Sequence, residues 1–194
     1  VPAEIDALLV CTGVVALAEI GDKTQLLSLM LAARYGRPVP IVAGILVATV
    51  ANHALAGWVG GWLGDALPQA ILRWALGGSF LAMAAWMLVP DRLDEAHTPP
   101  AGRLGVFGVT LVAFFLAEMG DKTQVATVAL AARYDAVAAV VAGTTLGMMV
   151  ANVPAVLLGE RVVRRVPIVW VRRASALVFA VLGAAMLAGV ELPF

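Results

Sequence analysis

Apolar residues run through this chain in long stretches separated by short polar breaks. A helix that crosses a bilayer needs about 20 mostly apolar residues. Six stretches have that character: residues 5–33, 39–63, 69–89, 104–132, 136–158 and 168–190. The pattern predicts an all-α polytopic membrane protein with six transmembrane helices. Most connections are a few residues long; the longest is the polar, proline-containing segment between Pro90 and Arg103. It divides the chain into a first three-helix unit over 1–90, a linker over 91–103 and a second three-helix unit over 104–194.

Composition agrees. Of 194 residues, 62% are apolar and 13% charged, against roughly 45–50% and about 25% in an average soluble domain. Mean hydropathy is +0.95. A soluble enzyme, a nucleic-acid binder and a disordered chain are excluded. The lone Cys11 rules out a disulfide framework and reads as small core filler. The first stretch carries Glu4 and Asp6 where a secretory signal needs positive charge, so it reads as a span.

Charge in the loops predicts orientation. Arg34, Arg37, Arg92, Arg103, Arg161, Arg164, Arg165, Arg172 and Arg173 fall on one side, and only Arg73 and Arg133 on the other. The arginine-rich side is expected in the cytoplasm, which puts both termini outside. Trp58, Trp62, Trp74, Trp86 and Trp170 lie near span ends, where amphipathic rings prefer to sit. Gly57 with Gly61, Gly60 with Gly64, and Gly143 with Gly147 are spaced for close helix approach.

The strongest feature is a duplication. Leu17–Tyr35 reads LAEIGDKTQLLSLMLAARY and Leu116–Tyr134 reads LAEMGDKTQVATVALAARY, with 13 of 19 positions identical at an offset of 99. Val42-Ala43-Gly44 returns as Val141-Ala142-Gly143, Val50-Ala51-Asn52 as Val150-Ala151-Asn152, and Pro68 and Arg73 as Pro167 and Arg172. Three spans per copy force the second copy to enter the membrane from the opposite face. That is the inverted-repeat plan of many secondary transporters, whose site lies near the midplane at the repeat interface.

Within the repeat stand Glu19, Asp22, Lys23, Thr24 and Gln25, and again Glu118, Asp121, Lys122, Thr123 and Gln124. Ionisable groups inside apolar helices cost several kcal/mol unless they face a protected polar site. On a continuous helix Glu19 and Asp22 share a face and Lys23 reaches Glu19; Glu118, Asp121 and Lys122 repeat this. Gly21 and Gly120 sit between the acids. A helix over residues 5–33 would be roughly 44 Å long at 1.5 Å per residue, longer than a hydrocarbon core of about 30 Å. Tilted helices, or helices interrupted at Gly-Asp, are expected.

Four carboxylates and two lysines sum to −2, the charge one divalent cation neutralises. The candidate ligands are all oxygens: the four acids, the hydroxyls of Thr24 and Thr123, and the amides of Gln25, Gln124, Asn52 and Asn152. Such hard oxygen sites suit Mg²⁺, Ca²⁺ or Mn²⁺. Lys23 and Lys122 are read as charge-balancing groups that steady the glutamates, with a role as internal cations replacing the metal as the alternative. Asn52 and Asn152 also suit interhelical hydrogen bonding. His53, matched by Val153, reads as structural, His97 as solvated, and Met148 and Met149 as core. Clustered carboxylates repel, so protons and metal are expected to compete for the same oxygens; Glu19, Asp22, Glu118 and Asp121 are the proton-coupling candidates.

At Glu19–Thr24 and Glu118–Thr123 the chain resembles the Golgi-type Mn²⁺/Ca²⁺ transporter family, whose signature of Glu, an apolar residue, Gly, Asp, Lys or Arg, and Thr or Ser occurs twice. The bacterial branch of that family includes MneA-type manganese exporters. The six-span plan is also distantly similar to LysE-type exporters. The resemblance implies a transporter rather than an enzyme, moving Mn²⁺ or Ca²⁺ as substrate with no cofactor, in exchange for protons. It implies export across a bacterial cytoplasmic (inner) membrane, with the metal ion, protons and the lipid bilayer as partners. Two alternatives stand beside it: an intramembrane aspartyl protease using Asp22 and Asp121, and an exporter of small cationic solutes.

Overall fold

The computed structural model describes residues 3–89, 104–159 and 167–190. The linker, with Arg92, His97 and Arg103, lies outside the described residues, as do Arg161, Arg164 and Arg165. Among the described residues the chain is all helical. Its elements are α1 (Ala3–Glu19), α2 (Lys23–Tyr35), α3 (Pro38–Ala66), α4 (Gln69–Met87), α5 (Gly105–Glu118), α6 (Lys122–Arg133), α7 (Val137–Leu158) and α8 (Ile168–Leu187).

Four of these helices, α3, α4, α7 and α8, are long and apolar enough to cross a membrane, at 29, 19, 22 and 20 residues. Their outward surfaces are apolar: Trp58 is 69% exposed and Leu177 65%, and Trp62, Trp74 and Trp170 are also exposed. A protein in water would bury such a surface, because exposing it is unfavourable in proportion to its area. Lipid removes the penalty.

The stretches expected over 5–33 and 104–132 are each two helices. Gly21 and Gly120 have φ of 82° and 73°, values that L side chains avoid and glycine adopts freely. The chain leaves α1 after Glu19 and re-enters a helix at Lys23; it leaves α5 after Glu118 and re-enters at Lys122. Asp22 (φ −82°, ψ 169°) and Asp121 (φ −81°, ψ 166°) are the extended N-caps of the second helices. The sequence duplication thus extends to the backbone angles at the break.

The two halves interlock. α1 packs along α7, and its counterpart α5 along α3; α6 packs on α3, and its counterpart α2 on α7; α4 and α8 pack on each other. Each broken helix therefore leans on the long helix of the other half. One buried cluster joins α1, α4, α6 and α8, with Phe80 and Phe179 rings 6.0 Å apart, and includes Cys11; a second joins α2, α3 and α5.

Glycine allows the close crossings. A Cβ on Gly143 would lie 2.6 Å from the Leu8 carbonyl oxygen, and one on Gly147 2.7 Å from that of Thr12. The Thr12 hydroxyl uses this approach to donate to the Gly143 carbonyl at 3.1 Å. Gly147→Leu is expected to cost about 1–3 kcal/mol or more through overpacking, and to lower the melting midpoint in detergent. Gly78→Ala is the control, since a Cβ there meets nothing within 4 Å. Equal midpoints for the two variants would show that α1 and α7 do not depend on this contact.

The two halves are not packed identically at the breaks. A Cβ on Gly21 would meet the Ile168 side chain of α8 at 2.6 Å, whereas one on Gly120 would face open space. A cavity of about 850 Å³ lies between the ends of α3, α4, α6 and α8, lined in part by Asp65, Gln69, Arg73, Arg133 and Tyr134. None of the duplicated acids lines it.

Candidate metal centre

Each break carries its own scaffold. Gln25 and Gln124 occupy the third position of α2 and α6 and reach back across the break. Their Oε1 atoms accept from the Gly21 and Gly120 N–H groups at 2.9 and 2.7 Å. The Asp22 and Asp121 N–H groups donate to the Glu19 and Glu118 carbonyls, both at 3.0 Å. A glutamine at this place in a helix commonly reaches back to the N-cap amide; here each reaches one residue further, to the glycine amide that the break leaves without an intrahelical acceptor. An aspartate N-cap normally accepts from its own helix start. Neither Asp22 nor Asp121 makes such a side-chain cap, so both carboxylates are turned to other use.

That use is a shared cluster. Glu19, Asp22 and Asp121 each offer a carboxylate oxygen within 4.8 Å of the others. Glu19 is fully buried, and Asp22 and Asp121 are 2% exposed. Two of these acids come from the first copy and one from the second, so the breaks face each other across the halves. Glu118 is fully buried as well, with its Oε2 accepting from the Thr123 hydroxyl at 3.1 Å.

The lysines cross between the copies. Lys23 Nζ is 2.8 Å from Asp121 Oδ1, and Lys122 Nζ is 3.7 Å from Asp22 Oδ1. This corrects the expected Glu19–Lys23 and Glu118–Lys122 pairs. Residues four apart face each other only on a continuous helix, and the break lies between them. Lys122 also lies over the Trp86 ring, 5.9 Å from its centroid.

The remaining candidates divide by what their polar atoms already do. Gln25 is engaged at both ends, since its Nε2 donates to the Ala151 carbonyl at 3.1 Å. Asn152 Nδ2 donates to Glu19 Oε1 at 3.3 Å, while its Oδ1 accepts from the Ser28 hydroxyl at 2.7 Å. Asn52 Nδ2 donates to the Phe115 carbonyl at 3.1 Å. In this arrangement both asparagines act as interhelical hydrogen-bonding groups. His53 is buried.

Several buried oxygens have no hydrogen-bond partner: Glu19 Oε2, Glu118 Oε1, Asp121 Oδ2, Thr24 Oγ1 and Asn52 Oδ1. Leaving a buried acceptor unsatisfied costs about 1–3 kcal/mol, and more when it is charged. Every atom of this set is a hard oxygen, the donor type that Mg²⁺, Ca²⁺ and Mn²⁺ take. Carboxylates from both breaks meeting in a buried space have the chemistry to take up a divalent cation and give it up to protons.

Sequence reasoning passed over Ser28 and read Met148 as core only. Ser28 fixes Asn152, and the Met148 sulfur lies 3.1 Å from Asn152 Nδ2. Ser28 had a signal: it matches Thr127 within the repeat, a hydroxyl in both copies one turn beyond Thr24 and Thr123. Met148 is matched by Ala48, so the repeat offered none.

A buried cluster of acids between broken helices of a membrane-type fold has the character of a cation-transporter site. The model of a family described as "Divalent cation/proton antiporter GDT1" matches residues 7–95 and 106–192. The chain belongs to this family, a family of transporters and not of enzymes. It is 52% identical over 172 residues to a Vibrio cholerae protein named "Putative manganese exporter", an alignment covering 88% of this chain and 85% of that one. It is 30% identical over 175 residues to GDT1-like protein sll0615 of Synechocystis, covering 78% and 82%. It is 25% identical over 191 residues to GDT1-like protein 3 of Arabidopsis thaliana, covering 85% and 64%. No solved structure matches the chain. Family membership sets aside the protease reading of Asp22 and Asp121.

Proposed function

We propose that this protein exports Mn²⁺ from the cytoplasm in exchange for protons, at a site made by Glu19, Asp22, Glu118 and Asp121. The observation that carries the proposal is the meeting of Glu19, Asp22 and Asp121 oxygens from both sequence copies in one buried cluster. Glu118 completes the acidic set. Thr24 and Asn52 supply neutral oxygens, and Thr123 steadies Glu118. Gln25, Gln124 and Asn152 hold the shape of the site and become ligands only if their present hydrogen bonds open. Ca²⁺ is the nearest competing substrate, because it takes the same oxygens.

In this reading α1 with α2, and α5 with α6, each make one interrupted span, giving six spans as two inverted units over 1–90 and 104–194. The matching N-cap angles at Asp22 and Asp121 and the reciprocal packing of α1 on α7 and α5 on α3 support this. The arginine asymmetry favours an inner-membrane orientation with both termini outside and the linker at 91–103 in the cytoplasm. The 850 Å³ cavity then lies toward the outer face. Because α6 starts at the site and ends at that cavity, it marks the release side.

The test is uptake into inverted proteoliposomes with Mn²⁺, Ca²⁺ and Mg²⁺ in competition. Mn²⁺ is expected to be carried and to be displaced better by Ca²⁺ than by Mg²⁺, which dehydrates reluctantly and demands stricter geometry. Transport of a cationic amino acid with no metal dependence would overturn the proposal.

A further inference from the structure

We infer that Lys23 is the displaceable counter-cation of the site: its ammonium and the transported divalent cation hold Asp121 in alternation, while Lys122 is a fixed charge. The inference rests on the transport reading above and assigns the two lysines different roles in it.

The two cross-copy ion pairs differ in ways that matter for movement. Lys23 is in direct contact with Asp121 at 2.8 Å, and its side chain is 25% exposed. Lys122 stands 3.7 Å from Asp22, its side chain is 3% exposed, and the Trp86 ring lies against it. Lys23 thus has a tight contact to lose and room to leave; Lys122 is enclosed. Asp121 belongs to the carboxylate trio and Lys23 occupies its Oδ1. A divalent cation bound by that trio would meet the ammonium at the same carboxylate, and two positive centres there repel. An ammonium on a flexible four-carbon stem is suited to withdraw. Lys23 is also the first residue of α2, directly after the break.

The consequence is a division of the transport cycle. With metal bound, Lys23 stands aside. With metal released, Lys23 returns to Asp121, so the carrier moves back without a bare carboxylate in a low-dielectric interior. Net efflux needs that return leg. Exchange of labelled for unlabelled Mn²⁺ across the membrane needs only the metal-loaded carrier.

The experiment compares the two modes in proteoliposomes for wild type, Lys23→Met, Lys23→Arg and Lys122→Met. In Lys23→Met, net Mn²⁺ efflux is expected to fall about tenfold or more, since an uncompensated buried charge raises the return barrier. Detergent-phase Mn²⁺ binding should tighten several-fold as a competitor is lost, and Mn²⁺ self-exchange should fall by no more than that factor, far less than net efflux. Lys23→Arg keeps a cation for Asp121 and should restore most of the net efflux. Lys122→Met should lose both modes. Preserved self-exchange itself reports folding; if methionine prevents insertion, Lys23→Gln is read in the same way. Equal loss of efflux and exchange in Lys23→Met, or weaker Mn²⁺ binding, would overturn the inference and leave Lys23 an ordering residue. The same split in Lys122→Met would overturn the assignment of distinct roles. Absence of Mn²⁺ exchange in wild type would overturn the transport reading, and this one with it.

Discussion

Asp22→Asn and Asp121→Asn are each expected to reduce Mn²⁺ transport to near the background of empty liposomes. Both carboxylates are 2% exposed and neither caps its own helix, so their cost in the fold is not returned by local structure. Each substitution keeps the side-chain shape and removes one charge and one strong oxygen donor. Loss of a group that only supports a metal ligand costs roughly 10–100-fold in affinity, so a direct ligand should cost more. The lysine partners amplify the effect. With Asp121 neutral, Lys23 loses its 2.8 Å partner, and with Asp22 neutral Lys122 loses the carboxylate 3.7 Å away. In Asp121→Asn the Lys23 ammonium, released from that contact, then repels the incoming cation. Radiolabelled Mn²⁺ flux, with thermal melting to confirm folding, is the measurement. Flux above about a third of wild type in either variant would remove that aspartate from the site.

Mn²⁺ affinity should fall steeply as pH falls. The sign follows from competition for one set of oxygens: metal binds the deprotonated carboxylates, so each proton that must leave makes apparent affinity drop about tenfold per pH unit. Four acids and two lysines leave a formal charge of −2, so one Mn²⁺ and two protons are equivalent loads. Two displaced protons would steepen the dependence toward roughly a hundredfold per unit. Exchange of one Mn²⁺ for two protons moves no net charge, so an imposed pH gradient should drive efflux while a membrane potential alone should not. Binding isotherms across a pH series and efflux with and without a gradient read both predictions. Binding that ignores pH, together with efflux that ignores the gradient and a protonophore, would leave a passive channel as the better account.

Much of this was legible before folding. The apolar stretches over 39–63, 69–89, 136–158 and 168–190 end within a few residues of α3, α4, α7 and α8, because in a lipid-adapted chain hydropathy and helix length are set by the same bilayer thickness. Excess length and a Gly-Asp pair left tilt and interruption as the two expectations for the other two stretches, and the folded chain takes interruption. The acids declared themselves by cost: Glu and Asp in an apolar run have to be paid for by a function, and a second copy at an offset of 99 excludes accident.

The sequence by itself therefore determined the class of protein, the duplication and the oxygen-rich, acidic character of the repeated motif. It did not determine who touches whom. The pairing of Lys23 with Asp121 and of Lys122 with Asp22 depends on two breaks from distant halves meeting face to face. Helical spacing pointed each lysine to the glutamate of its own copy, and that rule lapses where the helix stops. The same holds for the asparagines. Asn152 reaches Glu19, whereas its counterpart Asn52 reaches the Phe115 carbonyl, although both stand in a Val-Ala-Asn triplet at matching places of the two copies. The Gly-Asp-Lys-Thr-Gln motif is identical in the two copies, but the folded state packs Ile168 over Gly21 and leaves Gly120 open. Near-identical segments in one chain need not adopt identical environments, because each is finished by the neighbours the other half brings to it, and those neighbours exist only in the tertiary structure.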